Sequence, residues 1–316
     1  MIYKVGILGA GRIAQGFDEP DSEVVLTMVH AFKKSGRFQV AGFFDIDPQK
    51  ANLAETKWNV PASSRDRASW MKSGWDAVYI ATPDMCHESD FSAVLKEKVR
   101  GVLLEKPVST DATHGVEMIK SARAANIPVL VNYPRRLHSA VRKLKVDAPK
   151  LGKIVHASFL YSGGALHNGV HMFDAFMSIW GGDWTMRNLS SGTKCSVLEL
   201  KRADMAFEAT FTDIPQDHYY VWEMRVLCEN GAVVFAGNPE EIHVFEKAAD
   251  PIYTTFTVLK EDWRSSMENE SLLERVVLRF AEVLDSSDAA LKQLDQELAV
   301  QKFVEQLNAH LNFKEQ

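Results

Sequence analysis

Tyr3-Lys4-Val5-Gly6-Ile7-Leu8-Gly9-Ala10-Gly11-Arg12-Ile13-Ala14 is the stretch on which the fold turns. An apolar run, residues 2–8, leads straight into a GxGxxA segment at Gly9, Gly11 and Ala14. Between a strand and a helix, each small residue has a use. The first glycine permits a tight turn, the second lets backbone approach a pyrophosphate, and Ala14 allows close helix–strand packing. Amides at the start of the following helix would then meet phosphate charge. Taken alone, GxGxxA also fits an ordinary glycine turn, so the surrounding pattern has to decide.

Outward from this motif, apolar runs recur at residues 38–44, 77–81, 99–104 and 128–131. Amphipathic stretches lie between them near 23–34, 48–57, 87–98 and 111–125; the last carries Val116, Ile119 and Ala122 at helical spacing. Near-continuous apolar strands alternating with helices predict a doubly wound parallel α/β sheet. After about residue 150 the pattern changes. Residues 153–161 read as a strand, 170–180 as a helix, and 195–258 as strand-rich. Within the last stretch Tyr220, Trp222, Met224 and Val226 alternate with Val221, Glu223 and Arg225, and Asn230-Gly231 marks a hairpin. Two helices follow, one with Leu272, Leu273, Val276, Val277 and Phe280, the other with Leu291, Leu294, Leu298 and Val304. The expected layout is a dinucleotide-binding domain at 1–131 and an α+β domain with a largely antiparallel sheet at 132–316. Their connecting segment falls at about 132–150, and the C-terminal helices are candidates to pack back on the first domain.

Length and composition agree with this. A chain of 316 residues suggests two domains at about 150 residues each. With 36 Lys and Arg against 42 Asp and Glu, the net charge of −6 argues against a nucleic-acid scaffold. No apolar run approaches the roughly 18 residues of a membrane span, and the N-terminus lacks signal-peptide character. Cys86, Cys195 and Cys228 are scattered without CxxC spacing, which suggests reduced thiols, a cytoplasmic setting and no zinc cluster.

Asp45 ends the second apolar run. A carboxylate there would accept hydrogen bonds from an adenosine ribose and repel a 2′-phosphate, favouring NAD over NADP. It lies further from the glycines than the usual spacing of about 20 residues, which an inserted loop at 15–22 explains. The alternative is that Asp45 or Asp47 caps the helix beginning at Pro48.

Four segments in order, GxGxxA, Ala81-Thr82-Pro83, Glu105-Lys106-Pro107 and Gly169-Val170-His171 with Asp174, together resemble the Gfo/Idh/MocA oxidoreductases. Order and spacing match from about residue 2 to 181; beyond that only a strand-rich C-terminal domain is shared. The resemblance implies an N-terminal Rossmann domain that binds NAD(P) and a C-terminal domain with an open-faced sheet. A sugar, polyol or sugar derivative would bind between them, in a homodimer or homotetramer. It assigns the cofactor to Gly9, Gly11, Arg12, Ile13, Asp45, Ala81, Thr82, Pro83, Glu105 and Lys106. His87 joins them at the ligand-facing rim, unless it is a structural histidine at a helix start.

Lys106 also has a local rationale. It follows an apolar strand, where α/β sheets bind ligands, and an ammonium there can polarise a reacting oxygen. The alternative is a surface lysine paired with Glu105. His167, His171 and Asp174 fall at i, i+4 and i+7 and share one face if helical. By the resemblance, His171 is the catalytic acid/base, but His167 stands where the family usually has aspartate. It contacts substrate, shares a proton with His171, or signals lost catalysis. A His-x3-His metal site and plain structural histidines are the competing readings. Arg136 matches a family arginine that would bind substrate, with an interdomain ion pair as alternative; Tyr161 and Asp174 would line the same cleft. The expectation is therefore hydride transfer between NAD(P) and a secondary alcohol or ketone of a sugar or cyclitol, catalysed by Lys106, His171 and His167. A dinucleotide-bound sensor on the same fold is the alternative.

Overall fold

The computed structural model describes residues 1–311 apart from 216–218, 238–239 and 269. The strands β1 (Tyr3–Leu8), β2 (Phe38–Phe44), β3 (Ala77–Ile80), β4 (Gly101–Leu104) and β5 (Val129–Val131) form a parallel sheet in the order β2-β1-β3-β4-β5. Every residue of β3, β4 and β5 is buried, as strands covered on both faces require. The helices between them are α1 (Met28–Lys34), α2 (Pro48–Lys57), α3 (Arg67–Met71), α4 (His87–Lys96) and α5 (Ala112–Ala124). Asp47, Asp66 and Asp111 begin α2, α3 and α5 by accepting backbone N–H bonds from the first turn.

Two helices depart from the sequence expectation. The helix expected directly after GxGxxA is one π-helical turn, Arg12–Gly16, and α1 starts only at Met28. The buried Asp18 explains the late start: it accepts the Leu26 N–H at 2.7 Å, the Thr27 hydroxyl at 2.5 Å and His30 Nδ1 at 2.8 Å. A side chain that takes up these groups holds the inserted segment out of helix. The short α3, capped by Asp66, lies in a stretch that had no clear period.

Two compact units divide the chain: Met1–Pro134 with Ser271–Gln301, and Arg135–Glu270 with residues from Lys302 onward. In the first, α8 (Leu272–Asp285) and the beginning of α9 (Ser287–His310) complete the core. Phe280 stacks on Phe38 with ring centroids 5.6 Å apart, and Glu297 accepts the Val131 N–H at 3.0 Å.

The second unit carries α6 (Ser139–Asp147), β6 (Ile154–Ser162), α7 (Val170–Trp180), β7 (Thr185–Ser191), β8 (Cys195–Arg202), β9 (Met205–Ile214), β10 (Trp222–Cys228), β11 (Gly231–Gly237), β12 (Glu240–Ala249) and β13 (Thr257–Ser266). Its eight strands run β13-β12-β11-β10-β6-β9-β8-β7, antiparallel except for β6 with β9. Phe173 and Phe176 of α7 pack on Phe159 and Phe211 and cover one face. Along β10, Trp222, Met224 and Val226 are buried and Glu223 and Arg225 exposed; Tyr220 precedes the strand and is exposed. The hairpin turn is Glu229-Asn230, with Cys228 paired to Gly231.

Candidate active site

The C-terminal ends of β1 to β5 are tied into one row. The residue just past β1, β3, β4 and β5 donates its N–H to the last carbonyl of a neighbour. Gly9 bonds Phe44 (2.7 Å), Ala81 bonds Leu8 (2.8 Å), Glu105 bonds Ile80 (2.9 Å) and Asn132 bonds Leu104 (2.8 Å). This brings the glycine turn, Ala81-Thr82-Pro83 and Glu105-Lys106-Pro107 to one sheet edge. In the order 2-1-3-4-5 the chain reverses its winding between β1 and β3, so Gly9 and Ala81 flank the crevice where such sheets take ligands.

The glycine turn fits a dinucleotide. Gly9 has φ of +98°, and a Cβ there would meet the Ala81 carbonyl oxygen at 2.5 Å. Only glycine combines that backbone with that neighbour. At Gly11 a Cβ would find nothing within 4 Å, which leaves the backbone open to a phosphate. Arg12 is exposed beside it, Ile13 half-buried, and Ala14 fully buried against the sheet. Asp45 accepts the Ala10 N–H at 2.8 Å and the Asp47 N–H at 2.9 Å. A carboxylate has about four acceptor directions, so capacity remains for ribose hydroxyls. Asp47, not Asp45, caps α2.

Lys106 is half-buried at the end of β4, and the Lys106–Pro107 peptide is cis. Its neighbour Glu105 turns inward. Its Oε1 accepts the Tyr79 hydroxyl at 2.5 Å and the Asn132 amide at 2.7 Å. Burial pushes the Glu105 carboxyl above the usual carboxylate range, against the pull of those bonds and of Lys106 and His87. The same burial, with Glu105 beside it, pushes the Tyr79 hydroxyl well up. Glu105 thus ties the lysine turn to Tyr79 of β3 and to Asn132 after β5. His87 is not at a rim: it is wholly buried, with both ring nitrogens on backbone carbonyls. Tyr79 and Asn132 belong to this arrangement and were not singled out from the sequence. The only sequence signal was their place at the ends of β3 and β5. A surface cavity of about 690 Å³ lined by Ile2, Lys33, Phe38 and Val40 sits at the N-terminal end of β2, the opposite end from these turns.

In the second unit, residues Ala165–Gly169 form a π turn continuous with α7. His167 on that turn is exposed, and His171 one turn later is half-buried. Asp174 is fully buried and accepts a 2.9 Å hydrogen bond from Arg136, itself 2% exposed at the side chain. These two charges meet each other inside the unit. Tyr161 is also buried, its ring at 90° to Phe173, and burial raises its hydroxyl well above the usual range. Beside it, Asp213 accepts the Gly164 N–H at 3.4 Å and is pushed up by burial. Among the described residues no three His, Cys, Asp or Glu side chains gather as a metal-binding group, and no helix is long and apolar enough to cross a membrane.

Fold and turn chemistry together define an NAD-binding Rossmann unit joined to an α+β unit. Residues 3–133 match the family model GFO_IDH_MocA, described as an oxidoreductase family with an NAD-binding Rossmann fold. Inositol 2-dehydrogenase from Rhodococcus erythropolis is 33% identical over 107 residues, a stretch covering 33% of this chain and 30% of that protein. Solved structures share the fold over nearly the whole chain. An NAD-binding oxidoreductase from Klebsiella pneumoniae has TM-score 0.76 at 14% identity, covering 98% of this chain and 97% of its own. A 3-ketoreductase from Actinomadura kijaniata, in complex with NADP and TDP-benzene, has TM-score 0.74 at 14% identity, covering 98% of each chain. UDP-N-acetylglucosamine 3-dehydrogenase from Acidithiobacillus ferrooxidans has TM-score 0.70 at 14% identity, again with 98% of each covered.

Proposed function

We propose that this chain is an NAD(P)-dependent oxidoreductase acting on a secondary alcohol, or the corresponding ketone, of a sugar, cyclitol or sugar derivative. The observation that carries the reading is the row of tied strand ends, which sets Lys106 on the same sheet edge as the open glycine turn. Bound NAD(P) would supply the hydride acceptor or donor. Gly9, Gly11, Arg12 and Ile13 receive its phosphates, Asp45 its ribose, and Ala81, Thr82 and Pro83 its nicotinamide half. Lys106 donates a hydrogen bond to the reacting oxygen and stabilises negative charge there. His171 serves as the acid/base of the reaction, and His167 as a contact to substrate. Asp45 makes NAD the preferred cofactor. Inositol and nucleotide-sugar chemistry among the relatives supports a carbohydrate substrate.

The reading includes a cytoplasmic homo-oligomer. Its support is the three free cysteines and the exposed Leu189, Val258 and Leu259 on the eight-stranded sheet. A screen of cyclitols and nucleotide sugars, followed at the nicotinamide absorbance, tests the activity. Lys106→Ala and His171→Ala should each lower kcat by about 10²–10⁴-fold with cofactor affinity retained. Full activity in both would move the reaction elsewhere. The exposed His167, where the family usually has aspartate, favours a second reading, a sensor that binds dinucleotide without turnover.

A further inference from the structure

His87 opens α4 and is wholly buried. Its Nδ1 lies 2.7 Å from the carbonyl oxygen of Pro107, and its Nε2 2.9 Å from the carbonyl oxygen of Thr82. A carbonyl oxygen has no proton to give, so each contact is a hydrogen bond only if the ring nitrogen carries the proton. Neutral imidazole has one N–H. Its other nitrogen would then set a lone pair against a carbonyl lone pair in a place closed to water. Flipping the ring offers no escape, because carbons would then face both oxygens at hydrogen-bond range. Only the imidazolium satisfies both contacts.

The surroundings suit a cation. Glu105, at the end of β4, interacts electrostatically with both His87 and Lys106, and Tyr79 of β3 donates to Glu105. On the histidine's own helix, Asp90 bonds Arg67 and the Thr82 hydroxyl, and Glu88 bonds His114 of α5; Asp84 precedes it in a single 3₁₀ turn. Thr82 is therefore held twice, by its hydroxyl to Asp90 and by its carbonyl to His87.

We propose that His87 is kept as a buried imidazolium and is a positioning residue, a charged brace joining the Ala81-Thr82-Pro83 turn to the Lys106-Pro107 turn. Charge-assisted hydrogen bonds are roughly twice as strong as neutral ones, which suits a brace between two turns that must keep their spacing. The positioning role rests on the proposed function; the charge does not.

Nitrogen-15 NMR of the full chain labelled at histidine reads the charge directly, with His87 assigned through space to Pro107 and Thr82. Both ring nitrogens should carry a proton in the folded protein at about pH 7. One unprotonated nitrogen at about pH 7 overturns the proposal, and this measurement needs neither substrate nor a variant. The second arm uses His87→Asn, which keeps one donor and no charge. NADH affinity should hold within about threefold while kcat falls by about 10²-fold, the usual cost of a misplaced reacting group. A KM effect with kcat unchanged overturns the positioning role. A cationic His87 in a protein that turns nothing over supports the charge and sinks the oxidoreductase reading together with the positioning role, so the two failures are separable.

Discussion

Asp45 and Ala10 are joined by a 2.8 Å hydrogen bond from the Ala10 N–H to Asp45 Oδ2, which anchors the glycine turn to the end of β2. The carboxylate holds the turn, and under the proposed function it also meets the ribose. Asp45→Ala should raise the NAD Kd by about 10–100-fold and cost about 1–3 kcal/mol of stability, because a buried N–H loses a charged acceptor. Its effect on NADP should be smaller, since the repulsion of a 2′-phosphate is relieved. Calorimetric titration of both cofactors against both proteins checks this. Tighter NADP than NAD binding by the wild type would show that Asp45 does not read the ribose.

Asp18 tests the inserted loop. Burial pushes its carboxyl up, but the hydrogen bonds from Thr27, Leu26 and His30 outweigh this and hold it below the ordinary value of 3.8. A carboxylate depressed on folding contributes its stability above the unfolded value and loses it as pH falls through the folded one. Asp18→Asn should therefore destabilise by on the order of 2 kcal/mol near neutrality. The gap from wild type should begin to narrow below about pH 4, near the unfolded value, and close only as pH falls through the lower folded one. Urea melts at a series of pH values measure it, and a gap constant down to strong acid would exclude the charge as its source.

The strand pattern made the parallel sheet legible, because buried parallel strands must be apolar throughout: residues 38–44 coincide with β2, and 128–131 contain β5. The chemistry of the turns was legible too, since Gly9 has a positive φ that only its residue type accommodates easily. Tertiary partners were not legible. No spacing in the sequence indicates that Glu105 turns to Tyr79 and Asn132, or that Arg136 spends its charge on Asp174. Nor could local pattern foresee that Asp18, eight residues before Leu26, would stop α1 from starting early.

The Arg136–Asp174 pair is buried on both sides, at 2% and 0% side-chain exposure. Removing one member takes a buried opposite charge away from the other. Arg136→Leu should cost about 3–5 kcal/mol, and Asp174→Asn should be milder because the amide still offers an oxygen to the guanidinium. The order of the two in chemical denaturation is the test. If Arg136→Leu melts like the wild type, Asp174 is neutral in the fold or has other sufficient partners.

His167→Asp is the sharpest probe of the proposed chemistry, because it installs the aspartate that the resemblance to the Gfo/Idh/MocA oxidoreductases implies one turn before His171. His167 is exposed on the π turn Ala165–Gly169 and His171 half-buried on α7, so the exchange alters the charge beside the proposed acid/base without touching the core. Stability should change by less than about 0.5 kcal/mol, as for most exposed positions. An added carboxylate favours the protonated imidazole and should move the pH dependence of kcat associated with His171 upward. If the natural histidine sets specificity, the variant should change the ratio of kcat/KM between cyclitol and nucleotide-sugar substrates while NAD affinity holds. If the natural histidine reflects lost turnover, the variant should reduce or oxidise substrates that the wild type ignores. An unchanged pH profile and unchanged substrate ranking would place His167 outside the reaction.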